Sequence, residues 1–181
     1  MGLASTEQPR EDGNMDYEQA ERLRDELVRI TLNPEVHDQE VWVEAKTDPR
    51  KLGDLSACGT TGCLAGNAVV SAGLQLEWTA KESYDAIQAR YVSTGTYQAV
   101  HCRDTDGTVK SIATKARELF GLSYEEADLM FSPYNSVPEL WRLAIEFSNG
   151  QISYQDALAA YETRAQRVEA KVRAISGIVE G

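Results

Sequence analysis

The sequence predicts a mainly helical α+β domain, with five to six helices around a buried central helix and a small antiparallel sheet. Three observations lead there. Capping signals and 3-4 spaced apolar stripes recur at the start of the chain and through its last third. No residue from Cys58 to Gln75 is charged. Strand-like runs flank an Asp-Gly turn at 106–107. Residues 1–15 read as a disordered polar tail, 16–152 as the globular domain, and 153–181 as a long heptad-patterned helix.

The elements follow in order. Asp16 to Leu32 reads as a helix, with Asp16 and Gln19 forming a capping box. Ala20, Leu23, Leu27 and Ile30 make its buried stripe, and Asn33-Pro34 ends it. Glu40 to Ala45 reads as a short strand, with Val41 and Val43 on one face and Trp42 on the other. Asp48-Pro49 opens a loop that runs to about Ala57. Thr60 to Ala72 reads as a helix capped by Thr60 or Thr61 and stopped by Gly73. Being apolar nearly all round, it is expected to be the central buried one.

Glu82 to Arg90 is expected to form a short helix. Arg90 to Ser93 and Thr96 to Cys102 are expected to be strands joined by a turn at 93–96. Asp106-Gly107 then turns into a strand over 108–112. Ser111 to Phe120 reads as a helix stopped by Gly121. Ser123 and Glu126 form a capping box for the next, which ends near Phe131. Ser136 starts another, with Leu140, Leu143, Ala144 and Phe147 inward. Ser153 opens the last and longest, to about Ser176.

Composition narrows the function. There are 18 Lys and Arg against 29 Asp and Glu, a net charge of -11. That opposes direct nucleic-acid binding, which needs clustered cations to release counterions. No apolar run has the length of a membrane span, and the first residues lack the apolar stretch of a secretory signal. Three cysteines suit a reducing cytoplasm. The acids are uneven: residues 1–50 carry 13 acids and 6 bases, whereas residues 151–181 carry 4 of each.

Cys58 and Cys63 flank the start of the uncharged helix, where the helix dipole favours a thiolate. They read first as two small buried hydrophobes. The alternatives are a thiol-redox pair or a metal site joined by His101 and Cys102. Neighbouring residues on a strand point to opposite faces, which works against His101 and Cys102 sharing an ion. No metal, cofactor or catalytic residue is therefore expected. With Cys63 in the first helical turn, Cys63→Ser is expected to cost about 1–3 kcal/mol, by placing a hydroxyl in an apolar site. His37 is expected to be solvated. Gly59, Gly62 and Gly66 lack the Lys-Ser/Thr of a phosphate loop, and read as close packing and a tight turn. Asp104, Asp106 and Gly107 lack the distal Glu of a calcium loop and read as a hairpin.

In the last helix, Leu158, Tyr161, Ala165, Val168, Val172 and Ile175 form a coiled-coil seam of heptad spacing. Leu158 and Tyr161 are expected to pack on the domain. Ala165, Val168, Val172 and Ile175 are expected to form a partner-binding face, for a protein partner or for a second copy in a homodimer.

Residues 58–66, Cys-Gly-Thr-Thr-Gly-Cys-Leu-Ala-Gly, resemble a group of small proteins of actinobacterial phages and their hosts. These share a Cys-Gly-Thr-x-x-Cys-x-Ala-Gly helix start, an earlier short segment with Trp, and a later Leu-Gly-Leu helix pair. Trp42 and the segment Leu119 to Phe131 match those features. The resemblance implies a phage accessory gene product, cytoplasmic, acting on a host protein. The leading expectation is thus a noncatalytic protein-binding module. The alternatives are thiol or metal chemistry at Cys58 and Cys63, and an acidic nucleic-acid mimic.

Overall fold

The computed structural model describes residues 15–51, 60–85 and 87–179. Six helices and five strands appear in it. They are α1 (Tyr17–Leu32), β1 (Val43–Ala45), β2 (Thr61–Gly62), α2 (Leu64–Ser71), β3 (Gln75–Asp85), β4 (Arg90–Arg103), β5 (Val109–Ser111), α3 (Ile112–Phe120), α4 (Tyr124–Met130), α5 (Val137–Phe147) and α6 (Tyr154–Val179). Of the expected tail, residues 1–14 lie outside the described residues. Met15 does not belong to a tail: it is buried, and its carbonyl accepts a hydrogen bond from Gln151 Nε2 at 2.6 Å.

Local signals account for the helix ends. Asp16 and Gln19 make the reciprocal capping box of α1. Ser111 caps α3, and Ser123 with Glu126 caps α4 in the same reciprocal way. Gly121 ends α3 in the left-handed conformation, φ 65°. Burying Leu23, Leu27, Ile30, Leu64, Val69, Ile112, Phe120 and Leu140 builds one core shared by α1, α2, α3 and α5. In α2, burial runs from Leu64 to Val69, whereas Ser71 is exposed. The architecture is therefore mainly helical α+β, with the apolar interior divided among several helices.

The sheet is antiparallel, in the order β2-β1-β4-β3, and β5 also pairs with β4. The segment expected to be helical from Glu82 to Arg90 is instead the distal part of a long hairpin. Asp85 explains the reversal: its Oδ1 accepts the backbone N–H of Ile87 and of Gln88, closing a side-chain turn at the strand end. The expected turn at 93–96 is a bulge inside a continuous β4. Gly95 has φ 78°, Thr94 Oγ1 donates to the Lys81 carbonyl, and the register shifts between Ala80 and Glu82. A second shift, between Leu76 and Trp78, places both Ala99 and Cys102 on the core side and leaves Val100 and His101 exposed.

Candidate functional site

The uncharged motif packs as a backbone-to-backbone junction. Cys63 is the N-cap of α2, not a residue of its first turn, and Thr61 lies in β2. An ideal Cβ at Gly66 falls 1.6 Å from the Trp42 carbonyl oxygen and 2.7 Å from Val43 Cγ2. One at Gly62 falls 2.6 Å from the same oxygen. The two glycines therefore let α2 lie directly on the chain entering β1, which is the close-packing role their spacing suggested. Gly59 and Cys58 lie outside the described residues.

Side chains satisfy the polar groups trapped at this crossing. Gln39 Oε1 accepts the Leu64 N–H at 3.1 Å, while its Nε2 donates to the carbonyls of Met130 and Ser132. Asn67 Nδ2 donates to the Gly62 carbonyl at 2.6 Å and the Val36 carbonyl at 3.1 Å, and its Oδ1 accepts from Arg29. Arg29 also bonds Glu26, which is buried and accepts a further bond from Ser71 Oγ at 2.8 Å. Sequence reasoning did not single out Gln39, Asn67 or Glu26. A lone Asn inside an otherwise small and apolar helix was the available signal.

Burial pushes the Cys63 thiol above its ordinary pKa, and the backbone N–H groups of Gly66 and Ala65 only partly oppose this. The thiol lies 3.8 Å from the Trp42 carbonyl. Cys102 is also buried, its thiol likewise pushed up by desolvation, while His101 on the next register position is exposed. Among the described residues, no three His, Cys, Asp or Glu side chains gather as a metal-holding group. His37 is half-buried rather than solvated. It bridges Gly62 in parallel, its Nδ1 has no partner, and burial lowers its pKa.

A cleft of about 540 Å³ lies between α1, α2 and α3, with Arg22, Asp25, Glu26 and Arg29 facing Leu119 and Phe120. Its arginines are already engaged, Arg22 with Glu18 and Arg29 with Glu26. On the same helix Arg24 pairs with both Glu21 and Asp25.

The other candidate face is on α6. Ala157 and Ala160 are buried and Tyr161 packs against the core, whereas Leu158 is 39% exposed. Leu158 thus departs from the expectation that it packs on the domain. It stands a third of a turn away from Ala157, off the face that docks on the domain. From Ala165 to Ile175 every residue is exposed, with Val168 at 53%, Val172 at 55% and Ile175 at 64%. No helix among the described residues is long and apolar enough to cross a membrane. No family model matches the chain, and neither a curated protein nor a solved structure shows significant similarity to it.

Proposed function

We propose that the protein is a noncatalytic protein-binding module whose contact face is Ala165, Val168, Val172 and Ile175. One observation carries this reading. The helix continues beyond the part that docks on the domain, and it keeps a regular apolar seam where water surrounds it. Each exposed aliphatic forgoes about 1.5–3 kcal/mol of burial, which a partner helix recovers. Two groups that could carry chemistry elsewhere are already engaged. Cys63 is buried under a carbonyl, and the cleft arginines are bound to carboxylates. The phage-like motif adds a setting, an accessory gene product that engages a host protein.

The test is the double variant Val168→Asp with Val172→Asp in the full chain. In dilute protein, below about 1 μM, the thermal midpoint is expected to stay within about 2 °C of the parent, while binding of a hydrophobic dye such as ANS falls. A large loss of stability would mean that the seam is part of the core, and the module reading would fail.

A further inference from the structure

The α6 face, read as above, has a charge pattern that specifies its occupant. With Leu158, Ala165 and Val172 at heptad position a, Tyr161, Val168 and Ile175 fall at d. The flanking g positions are then Arg164 and Lys171, both basic, and the e positions are Glu162 and Glu169, both acidic. In a parallel pair, each g residue faces the e residue five positions later on the other helix. Arg164 of one copy therefore meets Glu169 of the other, twice by symmetry. In an antiparallel pair, g faces g and e faces e, so arginine and lysine would meet their own kind and glutamate would meet glutamate.

The seam and its flanks are available for this. Within the chain, Glu169 pairs with Arg173 at 2.5 Å. Glu162, Arg164 and Lys171 make no ion pair among the described residues. Exposed Leu158 extends the apolar seam back alongside the docked part of α6, so the second helix has an a position to cover even there. Ala165, the small residue at the next a position, lets two backbones approach closely.

We propose that the occupant is a second copy of this chain, with the two α6 helices parallel and in the same register. The idea rests on α6 being a binding face at all, and the experiment separates the two.

Sedimentation of the full chain over about 1–500 μM is expected to resolve a monomer–dimer equilibrium. Arg164→Glu alone, and Glu169→Arg alone, are each expected to weaken the dimer about tenfold, because each sets like charges against one another. Arg164→Glu with Glu169→Arg together is expected to restore it to within about threefold of the parent. Circular dichroism of each variant checks that the helix is retained. A stronger dimer in Arg164→Glu would show an antiparallel pair and overturn the proposal, as would a parent that stays monomeric or forms another stoichiometry. If the parent is monomeric and Val168→Asp with Val172→Asp leaves stability unchanged, only self-pairing is lost and the face stays free for another helix. If that variant unfolds, the face reading falls too.

Discussion

α2 and the distal half of α6 are both helices with regularly placed apolar side chains, yet they meet opposite surroundings. At α2 the chain approaches β1 so closely that two positions have no room for a Cβ, and Gln39 and Asn67 take up trapped amides and carbonyls. At α6 the apolar positions continue after the domain has ended. The difference shows how to read an apolar pattern. Where small residues and matched polar partners accompany it, the pattern builds architecture. Where long charged residues flank it and its side chains stand exposed, the pattern supports the contact face proposed above.

Substitution at Gly66 tests the first half of that contrast most severely. Gly66→Ala puts a methyl against the Trp42 carbonyl, and only a backbone shift relieves it. A loss of about 3 kcal/mol or more in denaturant unfolding, or failure to accumulate folded protein, is expected. Parent-like stability would show that α2 and β1 are not locked. Asn67→Ala comes next. It removes donors from the buried Gly62 carbonyl and the part-buried Val36 carbonyl and an acceptor from Arg29, for an expected loss of about 1–3 kcal/mol in the same measurement.

Cys63→Ser is expected to cost less than about 1 kcal/mol. The reason for the small effect is positional. Serine is a preferred N-cap, and the Ala65 and Gly66 amides, which already lower the thiol's pKa, are there to be capped. This reverses the sequence-based expectation, which took the residue to be inside the helix. A loss above 2 kcal/mol would instead show that the site treats the side chain as purely apolar. Cys63 is also expected to label slowly with iodoacetamide at neutral pH, because burial holds its thiol protonated.

The smallest expected effect concerns pH. His37 has a folded pKa below its unfolded value because burial disfavours the cation. The unfolded chain then binds more protons as pH falls from about 6.5 toward the folded pKa, so stability is lost through that window and is fully present above it. A His37→Gln variant is expected to flatten this part of the stability profile. An unchanged slope would assign it to other groups.

Much of the helical skeleton is legible in the sequence because its signals are local. Asp16 with Gln19, Ser123 with Glu126, and Gly121 each act within one turn, and each is found in the expected place. Asp106-Gly107 likewise turns β4 into β5. The long hairpin was hidden because Glu82 to Arg90 carries no alternation strong enough to outweigh helix-tolerant residues. Its strand state comes from pairing with residues 90–93 across a turn, and strand propensity depends on such cross-strand partners more than on the segment's own residues. Gly95 misled for a related reason, since a positive φ serves a bulge as well as a turn. At the uncharged motif the glycine spacing suggested close packing, but the opposing surface, the Trp42 carbonyl, is 20 or more residues away and left no mark nearby. The heptad seam was legible by spacing alone. Which of its residues the domain covers depends on where α1 and the core end, and Leu158 is the residue where that mattered.

The three tryptophans occupy three different media, and this gives the fold a built-in optical gauge. Trp42 is 37% exposed, Trp78 is half-buried, and Trp141 is 2% exposed, with its indole N–H donating to the Thr31 hydroxyl at 3.0 Å. That hydroxyl in turn donates to the Leu27 carbonyl, so the indole of α5 is wired to the backbone of α1. The bluest component of the emission therefore belongs to Trp141. Its red shift reports the separation of α5 from α1.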